Sequence, residues 1–326
     1  MPHVTGFVPL LREKRRVLAC TTILAAWFTT LSLSPTVAPA ADKRSPAADK
    51  PETPVIIWMG SSSSGMVKNY MPRVLADRLQ PVYKPSNVWF RADWISKDIE
   101  AGNQDKLAAI ATKTQEAFRK AGKVDFGILQ LSGGIISRAP DTDKHVPQIL
   151  DVMCQAIRDS GAQPVIFEHW TSRDQPKLRE YAIEAARRNG ARVAFCGSAL
   201  HAVAADKGGG KEGARYVGGL DEHTGPRGLY IATCCMYATL TGRSPVGLPA
   251  PAPNAKKVEI PKPQPGQLGG DGPATPEPDE PAAAPGKPRP PEEEITPEEA
   301  IYLQEHAWKV QREYAAAITA TTAAGR

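Results

Sequence analysis

The feature that most constrains this chain is an alternation of short apolar runs with longer amphipathic segments. The clearest units are "VDFGILQL" (124–131), "PVIFEHW" (164–170) and "RVAFCG" (192–197), each strand-length and rich in β-branched and aromatic residues. Each precedes a stretch with helical spacing: "VPQILDVMCQAIRDSG" (146–161), "PKLREYAIEAARRNG" (176–190) and the shorter "SALHAVAAD". Upstream, "VIIWM" (55–59) reads as a buried strand and 67–79 as a helix despite Pro72. "SNVWFRADW" (86–94) offers a second strand. Leu107, Ile110, Ala111, Ala117 and Phe118 recur close to a 3.6 period, predicting a helix over 103–122 that stops at Gly122. Apolar strands separated by amphipathic helices imply right-handed crossovers and a parallel sheet covered on both faces. The expected class is α/β, in three layers. In such sheets ligands bind beyond the carboxyl ends of the strands.

The flanking segments differ in kind. A basic patch, "LREKRR", leads into the apolar run "VLACTTILAAWFTTLSL" (17–33) and then Ala38-Pro39-Ala40. That order predicts a secretory signal over 1–40, and hence export to the periplasm or beyond. The apolar run of 17 also meets the lower limit of a membrane span, so a retained anchor is the competing reading. After cleavage no span is expected. The whole chain has 40 Lys and Arg against 35 Asp and Glu; the first 40 residues hold four and one of these, leaving 36 against 34. The basicity is therefore largely a targeting signal and gives no support for nucleic-acid binding. Residues 41–53 form a polar tether. Residues 249–297 contain 15 of the 31 prolines and few aliphatic residues, so 250–295 is expected to be an extended linker. A helix restarts over 296–326, with Thr296 as N-cap, Pro297 at N1 and Glu299 closing a capping box. Its stripe of Leu303, Ala307, Val310 and Tyr314, with Ile301 and Trp308 beside it, should dock onto the domain or onto a partner.

Cys154, Cys196, Cys234 and Cys235 show no zinc spacing, and Cys154 and Cys196 read as buried small hydrophobes. One disulfide is conceivable in an oxidising compartment. "KGGGKEG" (207–213) lacks a Walker spacing and reads as a mobile loop.

Two stretches carry the chemistry. "PVIIWMGSSSSGMVKNY" (54–70) runs a buried strand straight into serines, and "DEHTGPRGLYIA" (221–232) presents a carboxylate and an imidazole ahead of a helix over about 226–240. A hydroxyl needs an adjacent base to attack an ester at neutral pH, and a carboxylate fixes the tautomer of that base. The bland reading of the serines is a helix cap.

These blocks resemble the SGNH (GDSL-like) hydrolases, esterases and lipases on a flavodoxin-like three-layer α/β/α sheet. The resemblance covers residues 54–249. It implies Ser62 as nucleophile, His223 as general base and Asp221 as its orienting partner. It also implies an oxyanion hole from the serine N–H, with Gln130 and Gly102 as candidate contributors. Three positions depart from the family pattern. Ser61 precedes the nucleophile where Asp or Asn is usual, Asp221 lies two rather than three residues before His223, and "LQLSGG" has no asparagine. His169 and Trp170 end a strand on the functional edge and are candidate substrate contacts; Trp170 would wall a pocket, and His169 reads first as a structural histidine. The expected activity is hydrolysis of an acyl ester, of a small molecule or a glycan, with no metal or cofactor. The alternative is a catalytically impaired binding or assembly module on the same fold. A phosphodiester or sulfate-ester hydrolase is a third class, without an acidic metal cluster to argue for it.

Overall fold

The computed structural model describes residues 52–60, 62–75, 77–86, 88, 90–132, 142–220, 223–251 and 294–324. The signal segment, most of the tether and residues 252–293 of the expected linker lie outside them. Five parallel strands form one sheet in the order β2-β1-β3-β4-β5. They are β1 (Val55–Met59), β2 (Val82–Lys84), β3 (Phe126–Leu131), β4 (Gln163–Glu168) and β5 (Arg192–Ala194). The helices are α1 (Ser62–Leu75), α2 (Ala92–Glu100), α3 (Asp105–Ala121), α4 (Val146–Asp159), α5 (Gln175–Asn189), α6 (Cys196–Asp206), α7 (Gly210–Val217), α8 (Pro226–Thr241) and α9 (Pro297–Ala324). The α/β class with a covered parallel sheet is as the alternation predicts.

Two expectations need correction. The second strand is Val82–Lys84, and the stretch expected to carry it instead runs into α2. The reason is a helical period: Ala92, Ile95, Ser96 and Ile99 fall on one face and are buried together. Residues 210–217 are helical rather than a loop, with Gly213 and Val217 turned inward one turn apart.

The pleat sorts side chains between the two helical layers. Met59 of β1 faces α3, where the Thr114 hydroxyl lies 4.0 Å from its sulfur. Trp58 therefore faces the opposite layer. It stands beside Tyr83, whose hydroxyl donates to Met71 of α1. Helix α8 shares that layer and packs against α1. Among the described residues, no helix is long and apolar enough to cross a membrane.

Helix α9 packs on α8, α6 and α5. Leu303, Ala307 and Val310 are buried, as the stripe predicts, while Ile301 stays exposed. Thr296 accepts from the Glu299 N–H at 3.2 Å, and the Glu299 carboxylate, held by the Thr296 backbone as well, receives Tyr216 and Arg227. Two glutamines fasten the helix. Gln304 accepts from the Gly247 N–H and donates to the Leu248 carbonyl and the Tyr230 hydroxyl. Gln311 donates to the Val193 carbonyl and accepts from the Phe195 N–H at 3.1 Å. Strand β5 is an edge, and this one amide satisfies a donor and an acceptor that a sixth strand would otherwise have paired.

Candidate functional site

Helix α8 brings the late loop to the sheet's carboxyl rim. Along β5 the partners of α8 run in reverse. The Thr239 hydroxyl donates to Val193 at 3.2 Å, whereas the Cys196 thiol, just past the end of β5, donates to Ala232 at 3.6 Å. Arg192, at the start of β5, donates to the Thr239 and Leu240 carbonyls, where a cation suits the helix C-terminus. Helix α8 is thus antiparallel to the strands, and its N-terminal end stands beyond their carboxyl ends. His223, three residues before α8 begins, is solvent-exposed there. The loop that carries it is pinched at its base. A Cβ on Gly218 would collide with the Gly225 backbone, and the Thr224 hydroxyl donates to Val217 at 2.8 Å.

Helix α1 begins at Ser62, two residues after Gly60 and so at the same rim of the sheet. The Ser62 side chain and all of Asp221 lie outside the described residues. Gln130 is buried near the end of β3, in register with Phe167 of β4, on the face that also carries Trp58. Gly102 follows α2 on the surface, where its φ of 88° suits a residue that ends a helix. That helix-ending turn accounts for the glycine without reference to a ligand.

His169 and Trp170 follow β4 directly and are buried, with 2 % and 1 % of their surfaces exposed. Neither side chain therefore presents the wall that the sequence suggests. The two rings stack with centroids 4.1 Å apart, and Phe167 meets the imidazole edge-on at 5.9 Å. Among the described residues neither ring nitrogen of His169 makes a hydrogen bond of good geometry, but the Trp170 backbone lies close enough to favour the charged ring. Burial is the chief cause that pushes its pKa down to about 3, and the charge of His223 acts in the same direction. The imidazole is neutral at physiological pH.

Next to these residues lies a polar cluster that sequence reasoning missed. Glu168, the last residue of β4, is fully buried. Its carboxyl accepts from the Ser198 N–H at 2.9 Å, the Ser198 hydroxyl at 2.6 Å and the Gln175 amide at 2.7 Å. Ser198 lies in the first turn of α6, so the carboxyl also caps a helix N-terminus. Burial outweighs these donors and pushes the pKa up to about 7. Gln175 ties the cluster to the chain that follows β4, donating to the His169 carbonyl and accepting from the Thr171 N–H. His201 closes the same loop through its contact with the Thr171 carbonyl at 2.6 Å. The signal for this cluster was an acidic residue closing an otherwise apolar strand.

All four described cysteines are buried free thiols. Among the described residues, no group of His, Cys, Asp and Glu is placed to hold a metal ion. The structure is similar to that of a candidate SGNH hydrolase from Slackia heliotrinireducens, at 18 % identity and a TM-score of 0.37, over 58 % of this chain and 100 % of that one. No family model matches the sequence, and no curated protein matches it. The fold class rests on the sheet itself.

Proposed function

We propose that this protein is an exported serine esterase of SGNH type that hydrolyses an acyl ester of a small molecule or a glycan. The observation that carries this reading is the reversed run of α8 along β5. It returns His223 to the rim at which α1 begins with Ser62. In the proposed reaction the Ser62 hydroxyl attacks the acyl carbonyl while His223 takes its proton, and Asp221 orients the imidazole. The new C–O bond leaves a tetrahedral oxyanion, for which the backbone N–H at the start of α1 and the Gln130 amide are the proposed donors, with Gly102 the weakest candidate. The C–O bond to the leaving alcohol then breaks, and the alcohol departs with the proton from His223. Water, deprotonated by the same histidine, releases the acid.

The test is labelling of the full chain by a fluorophosphonate serine probe. Wild type should be labelled at Ser62, with Ser62→Ala unlabelled and His223→Ala slowed by about 10³-fold or more. Equal reaction of wild type and Ser62→Ala would refute the nucleophile.

A second reading has its own observation. His169 and Trp170, the residues expected to meet substrate, are almost fully covered. That suits a module that keeps the fold and binds without turnover. Glycan or protein binding with no hydrolysis across an acyl-ester panel would favour it.

A further inference from the structure

We infer that Glu299 of α9 is a positioning residue for the proposed reaction, its carboxylate clamping together the two flanks of the loop that carries His223. The inference rests on the esterase reading above and adds to it a residue from the C-terminal helix, beyond the stretch that carries the resemblance.

His223 lies between α7, which ends at Val217, and α8, which begins at Pro226. The base of that segment is closed where Gly218 meets Gly225 and where Thr224 donates to Val217. One residue back along α7 stands Tyr216, and one residue into α8 stands Arg227. Both donate to the same oxygen, Oε1 of Glu299, Arg227 through its Nε at 2.7 Å. The Arg227 guanidinium also lies over the Tyr216 ring, 4.9 Å from its centroid. Two flanks of one loop are thus joined through a carboxylate that follows Arg227 by 72 positions in the chain.

Charge explains why an acid serves there. Helix α8 has no acid in its first turn, and Gly225 at its N-cap has no side chain to offer. Arg227 instead sets a cation at the positive end of the helix dipole, which is unfavourable unless an anion stands beside it. Glu299 supplies that anion. Its own place is fixed, because it lies in the first turn of α9, where its N–H donates to Thr296. Burial works against its charge, yet the bonds from Arg227 and Tyr216 hold its pKa below the ordinary carboxylate value. Burial and Glu299 together push the pKa of the Tyr216 phenol upward, so the phenol remains a donor. The two glutamine anchors of α9 act elsewhere, Gln304 on Leu248 and Tyr230 and Gln311 on the β5 edge. A catalytic group misplaced by about 1 Å can cost about 10²-fold in rate, so the clamp bears on how well His223 meets Ser62.

The full-length protein is compared as wild type, Glu299→Ala, Glu299→Gln and Gln311→Ala, by fluorophosphonate labelling at a temperature where each is folded. Glu299→Ala should label Ser62 about 10- to 100-fold more slowly. Glu299→Gln, which keeps an acceptor oxygen for both donors, should label within about fivefold of wild type. Gln311→Ala loosens α9 at β5 and leaves the clamp in place, so it should label at the wild-type rate. In ¹⁵N-histidine spectra the His223 ring signals should shift in Glu299→Ala and keep their wild-type positions in Gln311→Ala. Labelling of Glu299→Ala at the wild-type rate, equal slowing in Gln311→Ala, or unshifted His223 signals in Glu299→Ala overturns the inference and leaves the esterase reading standing. If either alanine variant does not fold, Tyr216→Phe decides. It loses one donor to Glu299, keeps the ring under Arg227 and should label about 3- to 10-fold more slowly, and a wild-type rate there overturns the inference. Failure of wild type to be labelled at Ser62 overturns both readings.

Discussion

Replacing Glu168 by glutamine tests the balance of forces under the site. Three donors reach this carboxyl, from Ser198 twice and Gln175 once, and each favours the charged form. Complete burial opposes them and prevails, raising the pKa from 4.5 to about 7. The folded state then keeps a proton that the unfolded chain releases over that interval. A group raised in the folded state contributes stability fully below the unfolded value and loses it as pH rises through the folded one. At about 1.4 kcal/mol per unit, the contribution should fall by about 3 kcal/mol between pH 4.5 and pH 7.5, and then level off. Glutamine keeps the volume and an acceptor for the Ser198 N–H but cannot titrate. The assay is urea unfolding of both proteins at half-unit steps from pH 4.5 to 8. The wild-type minus Glu168→Gln difference cancels the other titrating groups, to the extent that they are independent of this site. It should decline along that curve. A difference constant to about 0.5 kcal/mol would mean that the folded carboxyl titrates at an ordinary value, and that the three donors outweigh burial.

Other perturbations test the scaffold. Gly197→Ala should destabilise by about 2–4 kcal/mol in denaturant titration, because its Cβ would strike Gln175, whose Cδ would stand 2.8 Å away, and the His169 carbonyl. Gln311→Ala should cost about 2–4 kcal/mol, since it strips partners from two backbone groups of the β5 edge. Hydrogen exchange at the Phe195 N–H should quicken in that variant, and wild-type protection there would refute the edge-capping role. Leu303→Ala, at a fully buried position of α9, should lower stability by about 2–5 kcal/mol by the same titration. A loss below 0.5 kcal/mol would show that the helix is not seated on the domain.

How much of this was legible in the sequence follows from range. The strands and helices from residue 124 to 194 were readable because their period lies within a few neighbouring residues. The β2 region failed for the same reason in reverse: the aromatic and β-branched residues of 86–90 suggested a strand, while the buried face of α2 lay just downstream. The docking stripe of α9 was visible, but not Gln304 and Gln311, because polar residues within an apolar stripe show their partners only when the facing backbone is known. Gln311 meets Val193 of β5 across 118 positions, and Glu168 meets Ser198 across 30. His169 was a candidate from its place at the end of a strand, yet its burial and its stacking on Trp170 belong to the packing. By itself the sequence determined the class of the sheet and the residue types available at its rim, since local spacing and composition suffice for both. Only the tertiary structure decided which polar groups are withdrawn from water, and that α8 runs back along β5 to set His223 above the strands. Those outcomes depend on chain crossings that no short window of residues contains.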